Sequence, residues 1–446
     1  MEEFRHAQLF GRHYSGLASY IASRPMPKSI HLPAQRFDRT PALLLGGVNL
    51  VRALGLAGIP VVVASPEEDE PAFASRHCAG KCVLPPLSRP DAVVDAIVMI
   101  GEHLAMLHGR RIPLFYGSDD YLKLIYAHRE RLERHFLVLL NTPRVANALL
   151  TKDNFQDFAR ECGLPVPTPL SWEGTSAAGV ASFAGPVVVK PSNKEGWSDS
   201  QLRKRAFGKA KALVFPTGAQ AASDPMLALY HDRLTCQQYV SGDDSSNWSF
   251  HAFADGKGRV IHSFTGRKIR TFPPDNGESA YIELAENEEL RVLGTRLAAC
   301  IPLKGIFKMD FKQDARTGRW YLLEVNARFN LWHYLGAANG VNLMRTAYDY
   351  LVDGTRPVAP QPYATTYRWL AFDLDVRAFR AMRARGEIGT PGWLLSLGLS
   401  RIVCNVFSWS DPGPWLRLWN RRFSRRWDRG SRRLLSLVRQ WLSTAS

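Results

Sequence analysis

Alternation of apolar and polar positions is clearest between Lys304 and Arg328 (KGIFKMDFKQDARTGRWYLLEVNAR). The period of two predicts strands over Ile306–Gln313 and Trp320–Asn326, with turn residues in Asp314–Gly318 between them. Lys308, Asp310 and Lys312 fall on one face of the first strand, and Phe307, Met309 and Phe311 on the other. On the second strand Glu324 and Asn326 share a face, opposite Tyr321, Leu323 and Val325. Folding about the turn brings Asp310 opposite Glu324, to within one residue. Directly opposed side chains lie ~5 Å apart at Cβ, close enough to share a cation. Asp310, Glu324 and Asn326 are therefore a candidate metal set, and an all-oxygen set suits hard Mg²⁺ beside phosphate oxygens. Arg328, just beyond, has the fork that holds a phosphate or carboxylate bidentately. A hairpin with one wet face, charged only for solubility, shows the same pattern. The rest of the chain has to decide.

Before the hairpin the pattern changes twice. Residues 1–39 show no period and carry Pro25, Pro27 and Pro33, which predicts an irregular lead-in. Ala42–Leu45 reads as a buried strand, Gly46–Gly47 as a tight turn, Leu50–Ala57 as a helix and Ile59–Ala64 as a second strand. This is the βαβ opening of a doubly wound α/β domain, although the turn lacks a full GxGxxG. A helix over Asp91–Leu107, a strand over Ile112–Gly117, a helix over Tyr121–Arg134 and a strand over Phe136–Asn141 complete a domain spanning 40–141.

Beyond Asn141-Thr142-Pro143, Thr151-Lys152-Asp153 opens a helix with a side-chain cap available. Gly185–Pro191 (GPVVVKP) is a buried strand that delivers Lys190 at its end, before a loop rich in Ser, Asn and Gly. A cation so placed suits phosphate, although a lone strand-end lysine more often points to water. Leu234–Asp244 is a strand leaving into a turn, where backbone groups suit a nucleotide base and Asp243 or Asp244 the ribose hydroxyls. Asn247–Ala254 and Arg259–Thr265 form a hairpin, followed by a basic loop over Arg267–Pro274. The cations of that loop suit a transferring phosphoryl group or an acidic substrate. Glu288–Ile301 is a helix leading into the Lys304–Arg328 hairpin.

Past Gly354, Tyr367–Asp375 reads as one more strand and Val376–Arg385 as a short basic helix. Pro412-Gly413-Pro414 sets off a last segment. There Trp415, Trp419, Phe423 and Trp427 recur every four residues on one helix face, with arginines around them. Such a face suits an anionic membrane surface. A helix docked on the protein with its arginines in water is the plainer reading.

Composition narrows the class. A chain of 446 residues, 46% hydrophobic and 22% charged, is ordinary globular material for two to four domains. Glu2 and Glu3 stand where a secretory leader would be basic, and no apolar run is long enough to cross a bilayer. The six cysteines lack a paired framework or zinc spacing, which points to thiols in a reducing cytoplasm. Of the net charge of +16, half comes from Trp415–Trp441, where nine arginines face one Asp. Basicity is local, which argues against a general nucleic-acid binder.

Taken in order, the first domain, Lys152, Lys190 ending VVVKP, QQYVSGD (237–243), FKMDF (307–311) and LLEVNAR (322–328) resemble the ATP-grasp superfamily over about residues 40–355. The likeness is nearest to bacterial carboxylate–amine ligases and carbamoyl-phosphate-synthetase-like proteins. Those share Ser75-Arg76-His77 after the second strand, the K-x-R-x-x-P-P run from Lys268 to Pro274, and an aromatic stretch similar to LWHYLGAANGVNL. The resemblance implies a Rossmann-like pre-ATP-grasp domain over 40–141 and an ATP-grasp domain over 142–355. The latter divides into a lid subdomain near 165–240 and a catalytic subdomain near 241–355, with a basic helical extension over 356–446.

By motif position, Lys152 and Lys190 match the lysines on the ATP phosphates. Gln238, Tyr239 and Val240 match the adenine hinge, and Asp243 the ribose contact. Asp310, Glu324 and Asn326 match the Mg²⁺ ligands, with Mn²⁺ also accommodated, and Arg328 the arginine near the γ-phosphate. Lys268 and Arg270 match groups that meet the acyl phosphate or acceptor. Gln238 replaces a usual glutamate but keeps an amide acceptor for the adenine amino group. Ala327 replaces a common proline, and the loop after Lys190 is poor in glycine.

The implied chemistry joins a small-molecule carboxylate, activated as an acyl phosphate by MgATP, to an amine in the cytoplasm. Thiol or carbamoyl-phosphate-type acceptors and a non-turnover ATP sensor are the rivals. His333, beside Trp332, is either a base or a structural member of the aromatic stretch, the latter having more weight.

Overall fold

Aliphatic runs early in the chain form a six-stranded sheet: β1 (Ile30–His31), β2 (Ala42–Leu45), β3 (Val61–Ser65), β4 (Cys78–Val83), β5 (Ile112–Tyr116) and β6 (Phe136–Leu137). The order is β1-β4-β3-β2-β5-β6, with β2 to β6 parallel and β1 antiparallel to β4. β2, β3 and β5 are buried throughout, which is why they read as continuous rather than alternating apolar runs. In this computed structural model the described residues are 30–150, 152–170, 178–191, 212–275, 277–356, 362–398 and 400–421. They fall into two units, Met1–Val138 with Val406–Ser446, and Leu139–Asn405.

Three expectations for the first unit change. Ile30–His31 adds a strand at the sheet edge, inside the stretch expected to be irregular; residues 1–29 lie outside the described residues. The helix expected over Tyr121–Arg134 is two helices, Asp119–Ala127 and Arg129–Glu133, because His128 leaves the helical region (φ −120°, ψ 28°). The last strand is short, covering only Phe136–Leu137.

The C-terminal segment belongs to this unit, held by one buried carboxylate. Asp411 accepts from Arg52 Nε (2.9 Å), Ser75 Oγ (2.9 Å) and Arg76 N–H (2.8 Å), while Arg52 also donates to the Val406 carbonyl (2.7 Å). Burial opposes the charge on Asp411, but these donors outweigh it and hold the carboxyl below its ordinary range. Ser75 and Arg76 of the SRH motif thus anchor the segment around Asp411. In the helical stretch 413–421 the arginines, expected in water, face the protein. Arg417 donates to the Glu68 carbonyl (2.6 Å) and Arg421 pairs with Asp69. Trp415, Leu416 and Trp419 face solvent instead, beside Trp409, which is 89% exposed. Phe423 and Trp427 lie outside the described residues.

The second unit holds two sheets. A four-stranded antiparallel sheet, β7 (Pro169–Leu170), β8 (Val187–Pro191), β9 (Leu213–Phe215) and β10 (Leu234–Gln238), has the order β7-β10-β8-β9. It has its own small core of Val180, Val187, Val189, Leu234 and Cys236. The larger sheet comprises β11 (Asn247–Ala254), β12 (Val260–Phe272), β13 (Glu278–Leu284), β14 (Gly305–Gln313), β15 (Trp320–Asn326), β16 (Tyr367–Leu370) and β17 (Arg401–Cys404). Its order is β15-β14-β11-β12-β13-β16-β17. One face packs Phe250, Ala252, Phe307, Met309, Phe311, Leu322 and Val325 against Leu290, Leu297 and Ala298 of helix Glu288–Cys300.

Here too the sequence reading is corrected. β12 continues to Phe272, so the basic residues expected in a loop lie in a strand. The strand expected over Tyr367–Asp375 ends at Leu370 and gives way to helix Phe372–Ala384. β16, that helix and β17 extend the larger sheet and its cover, so this unit runs to Asn405, past the boundary expected near 355.

Candidate active site

The face of the large sheet opposite its core carries the site. In the β14–β15 register Asp310 stands directly opposite Glu324, and Lys308 opposite Asn326. A β-bulge follows Asp310, pairing Phe311 with Leu322 and Lys312 with Tyr321. The bulge puts Leu322 with Val325 in the core, in place of the Tyr321–Leu323–Val325 face expected from strict alternation. Asp310 accepts from Ser249 Oγ on β11 (2.7 Å) and pairs with Lys308 Nζ (2.8 Å). Burial pushes its carboxyl up, but Lys308 and Lys268 outweigh that and hold it below the ordinary range. Asp310 is therefore an anion at neutral pH. Glu324 is exposed, and the Asn326 amide oxygen accepts from Arg328 Nη2 (3.3 Å). Among the described residues no three His, Cys, Asp or Glu side chains cluster. The set is two carboxylates and an amide, hard oxygen donors that fit Mg²⁺ or Mn²⁺ and not a softer zinc-type ion.

Lys268 faces the same way. It lies two residues along β12 from Gly266, which pairs with Ser249. Burial lowers its ammonium pKa, Asp310 raises it and Lys308 lowers it, which places Lys268 within the field of the candidate metal set. Arg270 does not join it. A bulge between Lys268 and Arg270 sets Arg270 opposite Tyr281, on the face where Arg267 pairs with Glu283. There Arg270 makes a two-pronged buried pair with Asp375 (2.6 and 3.1 Å) and stacks over Tyr281 (4.7 Å). Motif position predicts that Lys268 and Arg270 both meet the acyl phosphate or acceptor, and the bulge sets Arg270 apart on Asp375 instead.

Helix Trp332–Ala338 covers one end of the site face, where a Cβ at Gly266 would meet the Trp332 ring at 2.6 Å. His333 is fully buried, and burial lowers its pKa to about 3. His251, stacked on Phe264 at 4.6 Å, is likewise held well below its ordinary range by burial. His333 is packed against His251 and Phe329, and its Nδ1 accepts from the Asn330 N–H (2.9 Å), so its surroundings favour the structural reading.

On the four-stranded sheet, Lys190 is half-buried on β8, paired across to Thr235. Lys152 opens helix Lys152–Glu161, but its side chain lies outside the described residues, as does the loop after Pro191. The Gln238 N–H donates to the Thr168 carbonyl and the Tyr239 N–H to the Pro186 carbonyl, both at 2.9 Å. Gln238 Oε1 accepts from Thr168 Oγ1 (3.2 Å), so the acceptor expected to meet a base is occupied. Asp243 is fixed by Ser245 N–H (2.9 Å) and Oγ (2.6 Å), and its carboxyl is lowered by these bonds. Asp244 is buried and holds Thr271 N–H (2.7 Å) and Oγ1 (2.8 Å), which removes it as a ligand group. Lys312 is buried on the site face, 4.9 Å from the Tyr239 ring centroid. Alternation already placed Lys308 and Lys312 beside Asp310. Ser249 comes from a strand about sixty residues earlier, and no local pattern announces it.

No family model matches the chain. In fold it is similar to N5-carboxyaminoimidazole ribonucleotide synthetase in its ADP complex (TM-score 0.51, 16% identity, 76% of this chain and 81% of that one). It is similar also to biotin carboxylase from Campylobacter jejuni in a β,γ-ATP complex (TM-score 0.52, 14% identity, 74% of each chain). The fold is the ATP-grasp fold. A curated relative in sequence is the D-aspartate ligase of Enterococcus faecium (strain Aus0004), 23% identical over 275 residues. That match takes in 59% of this chain and spans 64% of the relative's length.

Proposed function

We propose that this protein is an ATP-dependent ligase that activates a small-molecule carboxylate as an acyl phosphate and joins it to an amine, releasing ADP and phosphate. The observation that carries the reading is the register pair Asp310–Glu324 with Asn326, Lys268 and Arg328 around it. The likeness to a D-aspartate ligase supports a carboxylate–amine pairing over thiol or carbamoyl-phosphate chemistry and over a passive sensor. In this reading the doubly wound sheet is the pre-ATP-grasp domain and the four-stranded sheet the lid.

Asp310, Glu324 and Asn326 would hold Mg²⁺ or Mn²⁺, which when bound neutralises phosphate oxygens as a Lewis acid. Lys152, Lys190 and Arg328 hold the phosphate chain, and the hinge Gln238–Val240 lines the base. Val240 N–H, which makes no hydrogen bond among the described residues, is the hinge donor left for it. Asp243 takes the ribose. Lys268 orients the acceptor carboxylate so that one of its oxygens attacks the γ-phosphorus and ADP leaves. The amine nitrogen then attacks the acyl carbon and phosphate departs. The protein positions and neutralises; no side-chain nucleophile is required. ATP turnover with Mg²⁺ across pooled amino acids and small carboxylates is the test. Substrate-dependent ADP release is expected, and ATP binding without turnover in any pool would favour the sensor.

The outward tryptophans favour a second property, peripheral contact with an anionic membrane at the inner face. Exposed Trp409, Trp415 and Trp419 suit the headgroup region, and the arginine-rich sequence that follows suits its charge. No helix among the described residues is long and apolar enough to cross a bilayer. The protein is expected to co-sediment with phosphatidylglycerol vesicles at low salt, with a blue shift of tryptophan emission. Equal recovery with neutral vesicles, or none with either, would sink the idea.

A further inference from the structure

Lys312 is buried, with 4% of its surface exposed, yet its ammonium has no hydrogen-bond acceptor and no carboxylate at ion-pair distance among the described residues. A largely desolvated ammonium that has only a ring face beneath it is costly and persists where something else supplies an acceptor. The backbone says where that partner lies. β14 projects Lys312 from the same face as Asp310, two residues nearer the hinge, and the ammonium sits over Tyr239. Asp243, on the hinge exit, belongs to the same neighbourhood, because its charge reaches Lys312. The acids around Lys312 are otherwise engaged. Asp244 holds Thr271, Asp275 pairs with Arg385 (2.7 Å), and Asp314 caps the β14–β15 turn through Arg316 N–H (2.9 Å).

We infer that Lys312 is a nucleotide-contacting residue, whose ammonium donates to acceptor atoms of the nucleoside half, the sugar oxygens or ring nitrogens, between the hinge and the metal set. The inference rests on the ATP reading above and adds a contact that the phosphate lysines and the hinge do not supply. Position separates it from them. The metal set lies at Asp310, so a group one pleat closer to Tyr239 meets what lies between phosphate and base. Its cation also fixes the Tyr239 ring from one side, so the two side chains form one wall.

Lys312→Met keeps the length of the chain and removes the charge. Its affinity for ATP, ADP and adenosine, measured by calorimetry on the full-length protein, is expected to fall about tenfold to a hundredfold for all three, the range of a charged hydrogen bond. The ligand-free melting temperature is expected to hold or rise, because a largely desolvated cation without a carboxylate partner has been removed. Lys312→Arg should recover part of the affinity. Unchanged affinity in Lys312→Met would overturn the proposal. So would a loss for ATP and ADP but not adenosine, which would move the contact to the phosphates. A drop in ligand-free melting temperature with no change in affinity would make the residue structural, and would overturn it as well. Failure of the wild-type protein to bind any adenine nucleotide would instead strike the ATP reading itself.

Discussion

Asp310→Asn is expected to reduce ATP turnover by ~10³-fold, the scale on which removing a preorganised charged group from a reacting centre is felt. The carboxylate is the negative centre of its surroundings, paired with Lys308 at 2.8 Å and held below its usual pKa by Lys308 and Lys268 against the cost of burial. Neutralising it does two things. It removes a hard anionic ligand from the metal set, and it leaves two lysines facing each other without their anion. The second effect should lower stability by ~1–3 kcal/mol, the penalty for a buried group left unsatisfied. Glu324→Gln separates the effects. Glu324 is exposed, so its stability change should stay within about 0.5 kcal/mol. Turnover should still collapse, because the change strikes the group standing opposite Asp310. Initial-rate assays of ADP release alongside urea melts would check both. Full activity in Glu324→Gln would remove the metal set from the mechanism.

Much of that set is legible in sequence because it lies on one hairpin. Period two fixes which residues share a face, and the Asp314–Gly318 turn fixes the register closely enough to oppose Asp310 and Glu324. Legibility ends where local rules end. The bulge at Lys268–Arg270 turns one cation away from its neighbour, and the one after Asp310 exchanges Leu322 for Leu323 in the core. A bulge is set by what packs on each face, here helix Phe372–Ala384 on Arg270, a hundred residues away. The Gln238 amide similarly reads as a base acceptor until Thr168, from β7's approach, is found occupying it. At the chain's end, arginine spacing predicts solvated cations. The acidic run Glu67–Glu70, more than three hundred residues upstream, draws Arg417 and Arg421 inward.

Asp375→Ala is expected to destabilise the second unit by ~3–5 kcal/mol, the usual cost of leaving one partner of a buried ion pair alone. Asp375 is fully buried and Arg270 only 3% exposed. The carboxylate takes two guanidinium bonds from Arg270 and one from Trp393 Nε1 (2.8 Å), so three donors lose their acceptor at once. The third Arg270 nitrogen, Nη1, donates to Ser396 Oγ (2.9 Å), which cannot neutralise the charge. Replacing both members, Arg270→Met with Asp375→Leu, should recover most of the loss, since an apolar pair of similar volume has no charge to desolvate. That double variant also decides what Arg270 does. If the arginine only ties β12 to its covering helices, the repaired protein should turn over ATP near the wild-type rate, with Lys268 still facing Asp310. If it is stable in urea yet slow by ~10²-fold or more, the size expected when a positioned catalytic group is lost, Arg270 reaches the reacting atoms after all. The guanidinium would then have to leave Asp375 during turnover, and its burial would be a resting arrangement.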